Sequence, residues 1–381
     1  MRIRFSIRRG RGCRAGIYPV IHHPPWLIQT SHHKLQGKRK TSMNILVTGG
    51  SGLVGKGVVQ YLAERGHKVR SLDRDTRETL PGVEFVLCDI TDYAALREQV
   101  RGMEAIIHLA AYPTPAHAKG PEIFRVNCAG TYNVYEAAAE EGIRRVSSAS
   151  SINALGYHYG IKDFPLCYFP MDEEHPTYTT DPYSFSKQAV EAIADYYWRR
   201  EEISGVSLRM PGVYALTPEM IEMSKQFTAV MEPAYLALIN LPEPERGARI
   251  SKMKARLEED RKNRVSEKPW DPEQMGGEDM MSPDNLVTFG YTDFWALISV
   301  EDTAQAFEKS LLADYEGSHP LFICEAENFT GMPSEDLLKV FYPQVTERKR
   351  AIPGARNVLS YDRARDLIGF EPEYLIRTRI G

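Results

Sequence analysis

From Met43 onward the sequence alternates short apolar runs with segments of helical spacing, and this alternation constrains the fold more than any other feature. A buried strand is a short continuous apolar run, whereas a helix repeats its apolar residues every three to four positions. The predicted strands, in chain order, are 44–47, 68–73, 83–89, 105–111, 145–150 and 206–210. Strands that alternate with helices form right-handed βαβ units. The sequence therefore predicts an α/β fold with a parallel sheet covered by helices on both faces.

Charge is distributed unevenly along the 381-residue chain. Residues 1–42 contain ten Lys/Arg and no Asp or Glu, whereas residues 43–381 contain 37 Lys/Arg and 51 Asp/Glu, a net charge of −14. The acidic body argues against nucleic-acid binding by the folded part. The basic leader fits a transit segment, a nucleic-acid-binding tail or a disordered extension before a start at Met43. We expect the disordered extension, because the leader lacks sustained periodicity and a strand begins directly after Met43.

The composition is typical of a globular protein, with 43% hydrophobic and 26% charged residues. No apolar run approaches the length that spans a bilayer, so we expect no membrane segment. The five cysteines are scattered and form no Cys-x-x-Cys pair, which indicates neither a disulfide framework nor a metal site. We expect a cytoplasmic protein without a metal, and an organellar one only if the leader is a transit segment.

A glycine-rich turn joins the first predicted strand to the first predicted helix. In TGGSGLVG, Gly49, Gly52 and Gly55 follow the spacing G-x-x-G-x-x-G. Such glycines allow a tight turn, a close approach to a pyrophosphate and close helix–strand packing, while the helix N-terminus offers N–H groups to the phosphates. Asp73 ends the next strand, where it can bind ribose hydroxyls and repel a 2′-phosphate. The pattern predicts NAD rather than NADP, although the adjacent Arg74 could accommodate that phosphate.

Tyr183 and Lys187 are four residues apart in DPYSFSKQAVEAIADYY, a segment of helical spacing. Side chains at i and i+4 share one face of a helix, so the phenol and the ammonium can approach each other. Taken alone, the segment is better explained as a surface pair. Its meaning depends on the other motifs.

The order of the motifs resembles that of one known family. The glycine turn, LCDIT, HLAA, a serine segment and Tyr-x-x-x-Lys together resemble the extended short-chain dehydrogenase/reductase family, over roughly Met43 to Phe370. That family includes NAD-dependent nucleotide-sugar epimerases and dehydratases and the uronate dehydrogenases. The resemblance implies a Rossmann-type doubly wound sheet with a smaller, interleaved C-terminal substrate domain. The cofactor-binding residues that it implies are Gly49, Gly52, Leu53, Val54, Gly55, Asp73, Asp89, Ile90, Ala110, Ala111, Tyr183, Lys187, Pro211 and Val213.

The resemblance also implies a catalytic serine, for which VSSASSINALGY offers four candidates. The family places this residue five positions before a glycine, so Gly156 selects Ser151. Two departures from the family pattern stand out. Ser147 and Ser148 stand where bulky apolar residues are usual, and Leu155 replaces a frequent tyrosine.

In the chemistry that the resemblance implies, Lys187 stabilises the phenolate of Tyr183 and brings its pKa toward the working pH. Tyr183 then takes a proton from a substrate hydroxyl while hydride passes to NAD. Ser151 hydrogen-bonds the same oxygen. The catalytic set is therefore Ser151, Tyr183 and Lys187, and the cofactor carries the difficult chemistry.

Three functions are compatible with these motifs. Ile152 and Asn153 stand where 4,6-dehydratases carry an Asp-Glu pair, so dehydratase chemistry is not expected. An epimerase and a uronate- or aldose-type dehydrogenase are nearly even, since SSINALGY resembles the uronate dehydrogenases and the long 216–290 region suits a nucleotide sugar. A non-catalytic NAD(P)-binding regulator is a minority hypothesis, because such proteins usually lack the Tyr-x-x-x-Lys pair.

The domain organisation follows from where the alternation stops. We expect residues 43–215 to form the NAD-binding domain and residues 216–381 a substrate-binding region that is partly interleaved with it. A Pro-, Gly- and Asp-rich stretch at 266–285 is predicted as loop. The expected partner is a sugar or nucleotide-sugar substrate. The resemblance implies a homodimer through the helices at 120–141 and 183–200.

Overall fold

A seven-stranded parallel sheet lies at the centre of the computed structural model, which describes residues 42–75, 79–269 and 282–380. The strands are β1 (Asn44–Thr48), β2 (Lys68–Asp73), β3 (Val83–Leu87), β4 (Ala105–His108), β5 (Val146–Ser151), β6 (Gly205–Met210), β7 (Gly212–Tyr214), β8 (Leu297–Ser299) and β9 (Ser318–Phe322). The sheet order is β3-β2-β1-β4-β5-β6-β9, and β7 pairs with β8 in a separate parallel ribbon. This order is that of a doubly wound sheet, so the predicted fold class is confirmed.

The described helices are α1 (Leu53–Glu64), α2 (Tyr93–Val100), α3 (Gly120–Ile123), α4 (Gly130–Glu140), α5 (Pro182–Glu201), α6 (Pro218–Ile239), α7 (Glu245–Lys262), α8 (Pro283–Thr292), α9 (Val300–Leu312), α10 (Ser334–Phe341), α11 (Asp362–Ile368) and α12 (Ile376–Ile380). A π-helical segment, Phe124–Ala129, joins α3 to α4. No described helix is both long enough and apolar enough to cross a bilayer.

Both faces of the sheet are covered, as the continuous apolar strands predict. Along β1, Ile45 and Val47 pack into one apolar core, to which α1 and α9 contribute, whereas Leu46 packs into a second core with α2, α4 and α5. Alternate residues of a strand point to opposite faces, so one strand supplies both cores. β9 lies beside β6, and the region after residue 215 thus contributes a strand to the central sheet. The predicted division at residues 215 and 216 stays a prediction.

The region after residue 215 differs from the sequence prediction in one place. It begins with two helices, α6 and α7, and the segment between them contains prolines at 242 and 244, which disfavour one continuous helix. Pro283–Asn285, predicted as loop, form the first turn of α8, where proline is well tolerated. Residues 270–281 of that stretch, and the leader up to residue 41, lie outside the described residues.

Two buried carboxylates fasten the C-terminal residues to the body. Asp302 accepts hydrogen bonds from the backbone N–H groups of Glu373 and Tyr374, at 2.9 and 3.1 Å. Glu325 accepts hydrogen bonds from the Ile376 N–H, at 2.9 Å, and from the Tyr214 hydroxyl. Both carboxylates are at most 1% exposed, so the C-terminal segment closes over groups that water does not reach.

Candidate active site

A cleft of about 860 Å³ opens at the carboxyl ends of the central strands, where the sheet order reverses between β1 and β4. In open α/β sheets this switch point is the usual place for a ligand. The predicted strands 83–89 and 105–111 end earlier than expected, at Leu87 and His108, because the chain leaves the sheet there and continues along the cleft wall. All fifteen predicted site residues line this cleft: Gly49, Gly52, Leu53, Val54, Gly55, Asp73, Asp89, Ile90, Ala110, Ala111, Ser151, Tyr183, Lys187, Pro211 and Val213.

The three glycines of the turn have different steric requirements. Gly49 has φ +75°, and a Cβ there would lie 2.6 Å from the Ala110 nitrogen. A Cβ on Gly55 would lie 2.1 Å from the Gly49 carbonyl oxygen, so this glycine is required for α1 to pack against the turn. At Gly52 the nearest atom would be 3.5 Å away, which is ordinary contact. The protein itself therefore does not require glycine at position 52, and the free space there faces the cleft.

The N-terminus of α1 has features of an anion site. Gly52 is its N-cap, no described side chain caps the helix, and its first turn carries no acidic residue. The first N–H groups of a helix have no partner within the helix, and the helix dipole adds positive charge at this end. Leu53, Val54 and Gly55 thus present backbone donors at the cleft, an arrangement suited to phosphate.

Asp73 and its neighbours form the far end of the cleft. The Asp73 carboxylate accepts the Ser51 N–H at 3.0 Å and the Arg74 N–H at 2.7 Å, so it also holds the glycine turn against β2. The Arg74 guanidinium lies over the ring of Tyr112, 5.5 Å from its centre, and the hydrogen bond with that tyrosine raises the pKa of Arg74. Asp89 accepts hydrogen bonds from the backbone and the hydroxyl of Thr91, both at 2.8 Å.

The serines of β5 have different partners. Ser147 Oγ lies 2.7 Å from Ser310 Oγ of α9, and Ser148 Oγ lies 3.0 Å from the Tyr135 hydroxyl of α4. Ser150 donates to Glu191 of α5 at 2.7 Å. Ser151, the last residue of the strand, accepts the Asn153 N–H at 3.1 Å and lies near enough to the Tyr183 side chain to lower its pKa. The structure thus brings Ser151, the serine that Gly156 selects, together with Tyr183.

Tyr183 and Lys187 lie on the face of α5 that is turned toward the sheet, and both are buried. Asp181 caps this helix by accepting the Ser184 N–H at 2.8 Å. The Lys187 ammonium donates to the Ala149 carbonyl at 2.9 Å and lies 5.8 Å from the centre of the Tyr183 ring. The i, i+4 spacing therefore belongs to a buried pair and not to a surface one.

The charge states of this pair differ from the expectation. Burial raises the pKa of Tyr183 to about 12, and the hydrogen bond with Ser151 opposes this effect. Burial lowers the pKa of Lys187 to about 8. In the chain alone Lys187 therefore does not bring the Tyr183 pKa toward neutrality, because desolvation dominates at both side chains.

One histidine of the cleft region has a structural role. His108 is 3% exposed, and its ring nitrogens lie 2.7 Å from the Thr48 hydroxyl and 2.8 Å from the Thr131 hydroxyl. Burial lowers its pKa to about 3, so it remains neutral.

Among the residues of the cleft wall that the sequence did not predict are Tyr159, Phe289 and Asp293. Tyr159 packs edge-on against Tyr183, with ring centres 5.6 Å apart. Asp293 lies 3.2 Å from Nδ1 of His158. No motif surrounds Asp293, and more than a hundred residues separate it from Tyr183, so sequence patterns carry no signal for it.

Comparison with known proteins decides the family. Residues 45–247, more than half of the chain, match the family model described as NAD dependent epimerase/dehydratase family. This chain belongs to that family. The predicted resemblance is thereby confirmed.

Curated members of the family are similar to the chain over less than half of its length. A NAD-dependent glucose-6-phosphate dehydrogenase of Haloferax volcanii is 32% identical over 44% of this chain and 67% of that protein. An L-arabinose 1-dehydrogenase (NAD(P)(+)) of the same organism is 35% identical over 44% of this chain and 65% of that protein. A uronate dehydrogenase of Pseudomonas putida is 32% identical over 44% of this chain and 59% of that protein. The chain thus spans about two thirds or less of the relatives it matches.

Solved structures show the same fold over most of the chain. UDP-glucose 4-epimerase of Thermotoga maritima has a TM-score of 0.55 at 18% identity, covering 89% of this chain and 96% of that one. Uronate dehydrogenase of Agrobacterium tumefaciens has a TM-score of 0.53 at 18% identity, covering 90% and 89%. At these identities the likeness shows the fold alone.

The cofactor of this NAD-dependent family fits the cleft of the chain. The open space beside Gly52 and the uncapped α1 amides suit a pyrophosphate. Asp73 lies at the end of β2, the strand next to β1, and lines the same cleft. Its carboxylate can accept hydrogen bonds from the hydroxyl groups of a ribose. The pyrophosphate and one ribose of a dinucleotide thus have complementary groups on this chain.

Proposed function

We propose that this chain oxidises a hydroxyl group of a sugar, with Tyr183 as the proton acceptor. The observation that carries the proposal is the buried contact between Ser151 and Tyr183, in one cleft with Lys187 and the glycine turn. A buried phenol that faces a cleft and contacts a second hydroxyl group is suited to proton exchange with a substrate oxygen. NAD, when bound, supplies the acceptor for the hydride.

Each residue of the set has a role that its contacts support. Ser151 orients the substrate oxygen, because its side chain lies beside that of Tyr183 in the lining of the cleft. Lys187 is fixed by the Ala149 carbonyl at the end of β5, from where its charge can favour the phenolate once substrate covers the site. Asp181 sets the start of α5 and so the position of Tyr183.

Net oxidation is the outcome that we favour over epimerisation. The three curated relatives named above are sugar dehydrogenases by name, and the match to the family model, over residues 45–247, includes Ser151, Tyr183 and Lys187. Ile152 and Asn153 follow Ser151 in the cleft and cannot exchange protons, which supports the exclusion of dehydratase chemistry. The bounds 43–215 and 216–381 and a cytoplasmic location remain predictions.

The test is the Tyr183→Phe variant, which removes one hydroxyl and keeps the ring. With NAD and a panel of aldoses, uronates and UDP-sugars, absorbance at 340 nm reports oxidation and chromatography reports epimers. We expect turnover to fall by roughly 10²- to 10⁴-fold, the usual scale for a proton-transfer group, while calorimetry still shows NAD binding. Wild-type turnover by this variant would exclude Tyr183 as the base. NAD binding without turnover of any sugar by the native chain would favour the regulatory alternative.

We also propose that the chain forms a homodimer through an aromatic patch on α4, α5 and the π-helical segment. Phe124 and Phe185 are 50% and 48% exposed and stack with ring centres 6.2 Å apart. Tyr132 and Tyr196 stack in the same way at 6.3 Å. Exposed aromatic residues that cluster on one face are typical of protein interfaces. All four lie in the two helical regions that the family resemblance implicates.

Light scattering after size exclusion tests this proposal. Phe185→Arg should convert a dimer of the native chain into a monomer, because it places a charge in the centre of an apolar contact. Leu312→Arg, which changes an exposed leucine outside the patch, should leave the dimer intact. A monomeric native chain, or a dimer that both variants retain, would exclude this interface.

A further inference from the structure

Asp293 places a carboxylate at the Tyr183 end of the cleft. It follows α8 directly and precedes Phe294 and Trp295, whose positive φ angles of 58° and 52° turn the chain back. The side chain is 8% exposed, lines the cleft and lies 3.2 Å from His158 Nδ1. His158 Nδ1 also lies 2.9 Å from the Thr292 hydroxyl. His158 therefore contacts both Thr292 and Asp293 and helps to fix the position of the Asp293 carboxylate. Burial raises the Asp293 pKa, and His158 opposes that effect.

An aromatic ring lies beside this carboxylate. Phe289 is one helical turn before Asp293, lines the same cleft and leaves 42% of its surface exposed. Its ring packs edge-on against His158 and Phe227, with centres 6.1 and 6.3 Å apart, so its position is fixed. An exposed ring next to a carboxylate matches a sugar, which has apolar C–H faces and hydroxyl groups that donate hydrogen bonds.

The described lysines and arginines of the cleft have other contacts or positions. Among the described residues, the lysines and arginines that line it are Lys56, Arg74 and Lys187. Lys56 and Arg74 lie at the glycine turn and the end of β2, and Lys187 donates to the Ala149 carbonyl. A carboxylate or diphosphate of the substrate that lies beside Asp293 would thus meet a like charge, and like charges at close range repel.

From this arrangement we propose that Asp293 accepts hydrogen bonds from substrate hydroxyls and that the site selects uncharged aldoses over uronates and nucleotide sugars. The inference rests on the proposed function, since it assumes that the reacting hydroxyl is held by Ser151 and Tyr183. It goes beyond that function by naming the substrate class and the residue that determines it. Asp293 is a specificity residue here, and the proton transfer stays with Tyr183.

The rate experiment compares D-glucose and D-galactose with their uronates, which differ at one carbon, and with UDP-glucose. We expect the native chain to have a higher kcat/KM for an aldose than for its uronate. Asp293→Asn should lower kcat/KM for the aldose by roughly 10- to 100-fold, the usual loss for a hydrogen bond to a charged group. The ratio of kcat/KM for the aldose to kcat/KM for its uronate should therefore become smaller. Asp314→Asn removes an exposed carboxylate that does not line the cleft, and it should keep the native ratio.

A binding experiment separates this inference from the proposed function. Calorimetry on Tyr183→Phe saturated with NAD measures sugar affinity without turnover. Tighter binding of an aldose than of its uronate, reduced by adding Asp293→Asn, supports the inference even if Tyr183 proves not to be the base. Tighter binding of a uronate or of UDP-glucose, binding of neither aldose, or no effect of Asp293→Asn would each overturn it, whatever the rates show.

Discussion

At the scale of single residues, the serines of β5 differ in what their hydroxyl groups contact. Ser151 should be required for turnover, because it is the serine next to Tyr183. Ser151→Ala should therefore lower kcat by roughly tenfold or more, in line with the loss of one positioned hydrogen-bond partner in a transition state. Steady-state rates at saturating NAD measure this effect.

Ser148→Ala is the matched control, three residues earlier on the same strand. It removes the partner of the buried Tyr135 hydroxyl, which should cost about 1–3 kcal/mol of stability. Its kcat should stay near the native value while its melting temperature falls. The opposite pattern, with Ser148→Ala inactive and Ser151→Ala active, would show that the spacing to Gly156 selects the wrong serine.

The residues that the sequence predicts well are those that local spacing places. Tyr183 and Lys187 are one helical turn apart, and the turn glycines sit at one strand–helix junction, so short patterns suffice. Asp293 reaches the cleft because α8 packs against α6 and α7 in the folded chain, and no local pattern encodes that packing. The Tyr183 pKa also escaped prediction, because it depends on how completely the folded chain removes water.

At the scale of elements, two glycines at the junction of β1 and α1 have different roles. We expect Gly55 to be needed for folding and Gly52 for binding. Gly55→Ala places a Cβ 2.1 Å from the Gly49 carbonyl oxygen and should destabilise the fold by about 1–3 kcal/mol, the usual cost of overpacking. Gly52→Ala meets nothing closer than 3.5 Å, so its melting temperature should match that of the native chain.

The same Gly52→Ala variant should bind NAD more weakly, by roughly tenfold or about 1.4 kcal/mol, because the methyl group fills the space beside the α1 amides. Calorimetry with NAD and thermal melts of the apo protein measure both quantities. Native NAD affinity in Gly52→Ala would place the pyrophosphate away from this turn.

The sequence predicts the existence of the central strands better than the positions of their ends. The ends depend on tertiary contacts, which local patterns do not encode. Strands β1 and β4 follow most directly from the sequence, because they are short apolar runs that are buried along almost their whole length. Their ends were less accurate, because 109–111 leave the sheet to line the cleft although they are apolar. The start of α8 was hidden in a Pro- and Asp-rich stretch, where Pro283 begins a helix instead of ending one.

At the scale of the whole molecule, the buried carboxylates that hold the C-terminal segment make stability depend on pH. Burial raises the pKa of Asp302 to about 6 and that of Glu325 to about 7. A carboxyl group whose pKa is higher in the folded state binds more protons there than in the unfolded state. Its contribution to stability is therefore complete below the unfolded pKa and is lost as pH rises through the folded pKa. For Glu325 this window runs from about 4.5 to about 7.

Glu325→Gln removes the titration and keeps an oxygen that can accept from Tyr214 and Ile376. At about 1.4 kcal/mol per pKa unit, the stability that the native chain loses through Glu325 across this window is roughly 3 kcal/mol. The native chain should thus lose more stability between pH 5 and pH 8 than Glu325→Gln, as urea unfolding would measure. Glu316→Gln, at an exposed position, should keep the native dependence. Equal dependence on pH in all three proteins would mean that Glu325 stays ionised when buried, and the C-terminal segment would then be held by a charged carboxylate throughout this range.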